Sequence, residues 1–254
     1  MEEPFRWLLL VLPVLVALEW LWSRRTGRDL YDPRETLATL GILLGSRVSR
    51  VLALPLSLAL FEAVAPYALF ELPTTPAVFL VALVLTDFVY YWHHRLSHEI
   101  PVLWAIHQTH HSAERLNLLA SARLSWLGPW IVQPVLALPL VLLGFPPVFV
   151  VGVAAVDLVF QFFLHTEAIG RLPWVEGWLN TPAAHRIHHA RDEDCLDRCY
   201  AGIFVVWDRM FGTFVDLDRA DRPLSYGLTS GPQGHNPVWL VFGGFVRWAR
   251  GEPV

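Results

Sequence analysis

Five long apolar runs, Phe5–Trp22, Val51–Phe70, Ala77–Trp92, Trp126–Leu143 and Pro147–Leu164, constrain this chain more than any other feature. A bilayer core about 30 Å thick asks for roughly 20 apolar residues per helix, and a helix there satisfies its own backbone. The runs predict an all-α integral membrane protein with about five transmembrane helices. Composition agrees, because only 17% of the 254 residues are charged and 54% are hydrophobic, against about 25% charged in an average soluble domain.

The first run is broken by Arg6, Pro13 and Glu19 and followed by Ser23-Arg24-Arg25. A secretory signal carries its charges before the apolar stretch and a cleavage site after it, so this order predicts an uncleaved span. Arg47 and Arg50 precede the second span, and Leu37–Leu44 is apolar as well. Either that helix begins earlier or the segment lies in the interface. Residues 71–76 form a turn signal, and Gly144-Phe145-Pro146-Pro147 predicts a tight helical hairpin. Residues 165–254 contain no further span, although Pro237–Arg250 reads as a helix capped by Asn236. There is no internal repeat. The whole chain, 1–254, reads as a single membrane-embedded domain whose core, residues 77–215, carries three histidine clusters.

All 19 basic residues are arginine, and the net charge of -4 gives no footprint for nucleic acid. Cys195 and Cys199 are too few for a disulfide framework and have no partner pair for a zinc site. Arg24, Arg25, Arg28 and Arg34 follow the first span, so the positive-inside rule places the start of the chain outside the cytoplasm. Five spans then put residues 93–125 and 165–254 together on the cytoplasmic side. Lysine-free coding suggests a high-GC bacterial genome, and with it the inner membrane.

Ten of the eleven histidines fall between positions 93 and 189. His94-Arg-Leu-Ser-His98 places two rings at i and i+4, on one helical face. His107-Gln-Thr-His110-His111 and His185-Arg-Ile-His188-His189 each place rings at i, i+3 and i+4. Thr181-Pro182 supplies a cap and first-turn proline for a helix through the third cluster. Neutral imidazole binds iron, zinc, copper or nickel. A lone zinc needs only four ligands, so eight rings without cysteine point to a multinuclear centre in a histidine-rich helical cap. The plainer alternative is a set of interfacial histidines packed against headgroups.

His165 ends the fifth span on the same side as Asp157 and Gln161. Polar groups within a span tend to face the bundle interior, so the stripe points toward the metals, with His165 a ninth ligand or an outer partner. Asp87, seven residues before His94, is expected to accept the outer N–H of a ligating histidine and fix its tautomer, the alternative being a charge paired with an arginine inside the bundle. His93 reads as an exposed neighbour and His235 as a bystander. Tyr90, Tyr91 and Trp92 read as an aromatic belt, and Glu114, Asn117 and Arg123 as solvated polar positions, the alternative being that they orient ligands or bind a lipid headgroup.

The stretches Asp87-Phe-Val-Tyr-Tyr-Trp-His-His-Arg-Leu-Ser-His98, His107-Gln-Thr-His-His-Ser112 and Asn180-Thr-Pro-Ala-Ala-His-Arg-Ile-His-His189 resemble the fatty acid hydroxylase superfamily, also called the sterol desaturase family. His165-Thr-Glu167 and Trp207-Asp-Arg-Met-Phe-Gly-Thr-Phe214 look most like its alkylglycerol monooxygenase branch. The resemblance covers about residues 80–215. It implies a membrane non-haem di-iron enzyme that uses O2 and two electrons to hydroxylate, cleave or desaturate a lipid. It also implies that His94, His98, His107, His110, His111, His185, His188 and His189 are the iron ligands. No nucleotide fold or cytochrome-like domain is evident, so electrons are expected from a separate redox protein or a reduced pterin. Two other classes compete. A histidine-ligated zinc hydrolase would want an H-E-x-x-H or a box carboxylate, and a metal transporter would thread polar residues through several spans.

Overall fold

The structure, a computed structural model, describes residues 3–252, with side chains from Val11 onward. Nine α-helices are found among the described residues, with isolated bridges but no strand. They are α1 (Glu3–Thr26), α2 (Pro33–Val64), α3 (Pro76–Glu99), α4 (Pro101–His111), α5 (Gly128–Leu143), α6 (Pro147–Leu164), α7 (Pro182–His189), α8 (Val206–Met210) and α9 (Pro237–Ala249).

Four helices start in the same way. Asp32-Pro33, Thr75-Pro76, Thr181-Pro182 and Asn236-Pro237 each put a side-chain oxygen on one or two free N–H groups of the first turn. The proline that follows has no N–H to leave unsatisfied and a φ already suited to the helix. Capping at Asp32 decides the second span. The apolar segment 37–44 belongs to a continuous helix of 32 residues, not to a separate interfacial segment, so Arg47 and Arg50 lie within α2.

Among the described residues, three helical stretches are long and apolar enough to cross a membrane: Pro33–Tyr67, Pro76–Glu99 and Pro147–Leu164. The fourth expected span, α5, is shorter at 16 residues. Part of the first falls on residues 1–10, whose side chains lie outside the description, so α1 is described there as a helix alone. Many large apolar side chains on these helices face outward, among them Val51, Leu56, Leu80, Val81 and Val151. Such a surface is unfavourable in water and at home among acyl chains.

The helices run in parallel pairs. Trp130 at the start of α5 donates its indole N–H to Ser49, and at the other end the Leu69 N–H donates to Leu142 at 2.8 Å. The chain after α2 and the turn after α5 therefore meet at the end remote from the histidines. Gly144 makes that meeting possible. Its φ is +83°, and a Cβ there would lie 1.7 Å from the Phe70 carbonyl oxygen. In the other pair, Phe79 packs edge-on to Phe149 at 5.3 Å, and the Tyr90 hydroxyl donates to Gln161 at 2.8 Å.

At the opposite end, α4, α7 and the first half of α2 build the cap. Helix α9 clasps α4, with Thr109 donating to the Leu240 carbonyl and Arg247 to the Gln108 amide oxygen. Arg28 and Arg115 tie the α1–α2 connection to the same end, through Glu167 and through Asp29 and Asp32. The arginine-rich loop and the histidines thus share one face of the protein.

Candidate metal centre

Four elements bring nine imidazoles together. The lower end of α3 carries His94 and His98, α4 carries His107, His110 and His111, and α7 carries His185, His188 and His189. His165 is the residue that ends α6. The rings sort into two groups, His94, His98, His107, His111 and His188, and His110, His165, His185 and His189. Within each group the ligand atoms all lie within 4.8 Å of one another.

Helical spacing explains the partition. Residues at i and i+4 lie one above the other on a helix, while i+3 is displaced around it. So His94/His98 and His107/His111 enter the first group as pairs, and His185/His189 enters the second. The i+3 rings cross over: His110 of α4 joins the second group and His188 of α7 joins the first.

The donor chemistry tests whether cations fit these groups. The carbonyls of Tyr200, Arg198 and Gln161 lie 2.9, 3.0 and 2.8 Å from Nδ1 of His94, His188 and His165. A carbonyl only accepts, so these three Nδ1 atoms carry the proton and each Nε2 presents a lone pair. Nε2 atoms then face one another at 3.0 Å for His94–His107, 3.2 Å for His107–His111 and 3.1 Å for His111–His188. In the second group the distances are 3.1 Å for His165–His110, 3.0 Å for His165–His185 and 3.0 Å for His185–His189. Protons on the remaining nitrogens cannot serve all these contacts at once, and the His98 Nε2 has no protein partner at all. One cation in each group would satisfy these lone pairs. At a metal–nitrogen distance of about 2.1 Å, ligands at right angles stand about 3.0 Å apart and tetrahedral ones about 3.4 Å, which brackets the spacings seen.

Electrostatics favours the same state. Burial, reinforced by the neighbouring rings, holds His107, His110, His111, His185, His188 and His189 well below the ordinary histidine range. Burial also brings His165 down to about 4. Neutral, lone-pair-bearing rings are what a metal requires.

The expectation for Asp87 is corrected. Its carboxylate reaches no histidine; it accepts the backbone N–H groups of Ile203 and Phe204 at 2.6 and 3.0 Å and the Trp207 indole at 2.8 Å. The outer nitrogens of His94, His188 and His165 are held by backbone carbonyls instead, two of them from residues 198–200, while the carboxylate near the outer nitrogen of His98 is Asp197, at 3.6 Å. In that loop Asp197 and Cys199 both adopt left-handed φ, 56° and 57°, at a cost on the order of 1–3 kcal/mol each. Asp208 offsets this strain, because its buried carboxylate accepts from the N–H groups of Tyr200 and Ala201 at 2.8 and 2.9 Å and from Thr213 at 2.6 Å. Sequence reasoning passed over Asp208, whose only signal is a lone carboxylate within Trp207–Phe214. It also treated Glu19 only as a break in an apolar run. Glu19 accepts from Tyr31, Leu118 and Thr166, and so fastens α1 beside His165.

Other assignments shift as well. The Asp157 and Gln161 side chains reach no imidazole; the Gln161 amide bridges Asp157 and Tyr90, and only its backbone oxygen touches His165. Tyr91 is fully buried, with its hydroxyl 2.9 Å from that of Thr213, and is no interfacial belt residue. Arg123 is buried rather than solvated; it binds Thr39, Ser112 and the Glu35 carboxylate and so fixes the end of the second histidine box. His93 belongs to neither group, and His235 is exposed. Cys195 and Cys199 are free thiols packed in an apolar core with Ala184 and Ile187.

This arrangement has sequence relatives. Alkylglycerol monooxygenase of Homo sapiens is 41% identical over 69% of this chain and 39% of its own length. The Danio rerio alkylglycerol monooxygenase is 43% identical over 67% of this chain and 37% of its own length. The ornithine lipid hydroxylase OlsE of Rhizobium tropici is 29% identical over 81% of this chain and 63% of its own length. The chain therefore spans about two fifths of the animal proteins it matches. No solved structure matches it. The profile described as Fatty acid hydroxylase matches residues 79–213, a stretch that contains all nine converging histidines and both carboxylates that anchor the loop around them. By that match the chain is a member of the fatty acid hydroxylase family.

Proposed function

We propose that this protein is an O2-dependent lipid hydroxylase whose nine histidines hold two irons, with an alkyl or acyl chain of a membrane lipid as substrate. The observation that carries this reading is the sorting of nine neutral imidazoles into groups of five and four, with no cysteine or carboxylate in either. An all-imidazole donor set suits iron as well as zinc, and the family membership favours the redox metal. When bound, a pair of irons supplies the two-electron activation of O2 that insertion into an unactivated C–H bond requires. The net change is R–H plus O2, two electrons and two protons giving R–OH and water. On an ether-bearing carbon, as the name of the alkylglycerol monooxygenase relatives suggests, the hydroxylated product would go on to cleave.

The chain's own contribution is geometric. Backbone carbonyls at 161, 198 and 200 fix the tautomers of His165, His188 and His94, so the rings need no reorganisation to bind. The buried cap excludes water from the reacting centre. Because α3 and α6 end at the centre, a chain lying among the spans brings a carbon near its polar end to the histidines. Electrons come from a separate redox protein or a reduced pterin. The centre faces the cytoplasm in this reading, supported by the four arginines between positions 24 and 34 at its end of the bundle. Arginine-only coding supports a bacterial inner membrane as its residence.

The test is lipid turnover by purified protein in vesicles, with iron content and O2 uptake measured together. The expected outcome is O2-dependent product that disappears in His110→Ala, with the fold retained by circular dichroism. Turnover unchanged in His110→Ala, or product formed by a zinc-loaded protein without O2, refutes the reading.

A further inference from the structure

The intramembrane carboxylate Asp87 holds chain that belongs to none of the spans. Helices α3 and α6 run parallel, with Phe79 against Phe149 and Tyr90 against Gln161, so a residue of α3 lies level with the residue about 71 positions later. The apolar stretch of α6, residues 147–164, is thus level with residues 76–93 of α3. Asp87 lies six residues inside that limit, about 9 Å at a rise of 1.5 Å per residue. Its partners Ile203, Phe204 and Trp207 lie at the same depth, on the outside of α3. Phe88 and Trp92 keep α8 there, with ring centroids 5.0 Å from Trp207 and 4.8 Å from Phe211.

Non-helical backbone at membrane depth is tolerated only where its polar groups are satisfied within the protein, and this segment meets that condition. Asp87 takes the N–H groups of residues 203 and 204, the Val205 N–H donates to the Trp178 carbonyl, and the Asn180 N–H donates to the Ile203 carbonyl. The outward face carries no such polar demand. Trp174 and Trp178 are each 79% exposed, Met210 64% and Val206 42%. Two cations lie near them: Arg209 sits over the Phe214 ring at 4.1 Å, on a stem long enough to extend toward headgroups, and Arg171, three residues before Trp174, is paired with Glu176, Asp218 and Asp221. This apolar face continues the outward surface of α3 formed by Leu80, Val81 and Val84.

We propose that α8, with Trp174 and Trp178, is immersed in the acyl-chain layer of the membrane, as a re-entrant element whose backbone is satisfied by Asp87. Its partner is lipid hydrocarbon. The same stretch leads back within a few residues to the Tyr200 and Arg198 carbonyls that hold His94 and His188, so lipid chains press on an element that orients the metal ligands. The inference rests on the membrane reading and not on the oxygenase chemistry.

Nitroxide labels at Met210→Cys and Val206→Cys test it, in the full chain reconstituted into phosphatidylcholine–phosphatidylglycerol vesicles. Power-saturation spectroscopy compares collision with O2, which partitions into hydrocarbon, and with a water-soluble nickel chelate. Val151→Cys on the lipid face of α6 and Ser230→Cys on the exposed cap are the references, and unsubstituted protein controls for labelling of the buried native cysteines. The expected result is an O2-to-nickel ratio at both positions matching Val151→Cys and several-fold above Ser230→Cys. A ratio matching Ser230→Cys places the face in water and overturns the proposal. Labels shielded from both reagents mean that protein, such as a second copy, covers the face, which overturns it equally.

Discussion

Replacing His165 with alanine removes one of the four imidazoles of the second group and leaves the first group its five. The His165 Nε2 lies 3.1 Å from that of His110 and 3.0 Å from that of His185, at the middle of its group. Structural four-ligand sites bind zinc with an apparent 10–16 kcal/mol, so one ligand is worth about 2.5–4 kcal/mol. At 1.4 kcal/mol per tenfold, the second site should weaken by about 10²- to 10³-fold, while the first keeps its affinity. The assay is anaerobic titration of metal-stripped protein with Fe(II) in a chelator buffer, with bound metal counted by mass spectrometry. Unsubstituted protein should take up two ions per chain, and His165→Ala one at the same free metal concentration. His93→Ala, outside both groups, should behave as the unsubstituted protein. If His165→Ala keeps both ions at unchanged affinity, the ring only packs beside the centre and the five-and-four partition is wrong.

Asp208→Ala should leave the buried N–H groups of Tyr200 and Ala201 without an acceptor, at about 1–3 kcal/mol each. A melting temperature that falls, together with weaker metal binding in the first group ahead of the second, is the expected signature. The pH dependence of the metal-stripped protein follows from His165. Its folded value of about 4 lies below the ordinary 6.5, so between those values the unfolded chain binds the proton first. Stability is then full above pH 6.5 and falls as pH drops toward 4, by about 3 kcal/mol for this group alone; a denaturation midpoint flat over that range refutes it. Gly45→Ala should cost about 1–3 kcal/mol, because its Cβ would lie 2.1 Å from the Trp126 indole, which is held by its hydrogen bond to Ile42. Gly128→Ala meets nothing within 4 Å, and its melting temperature should stay within a degree or two of the unsubstituted value.

Reading the chain in order recovers what is periodic in it. The apolar runs mark helices because membrane burial demands an uninterrupted stretch, and Thr181-Pro182 and Asn236-Pro237 mark helix starts because capping is local. Residues 37–44 were ambiguous for the same reason: their pattern suits a span or an interfacial helix, and the Asp32 cap together with packing of Ala38 and Ile42 against Leu240 and Val241 makes them part of one continuous helix. By spacing alone, the sequence also determined that the rings of each histidine box lie toward one side of a helix. Only the tertiary structure decided which pairs share a group and that His165 stands among them. It also decided that carbonyls 106 and 10 residues away from His94 and His188 hold their outer nitrogens. Asp87 shows the physical reason. Its heptad relation to His94 is a property of one helix, whereas its partners lie 116 to 120 residues away. Backbone groups that any residue could supply leave no trace in side-chain identity, so only the packed chain reveals them.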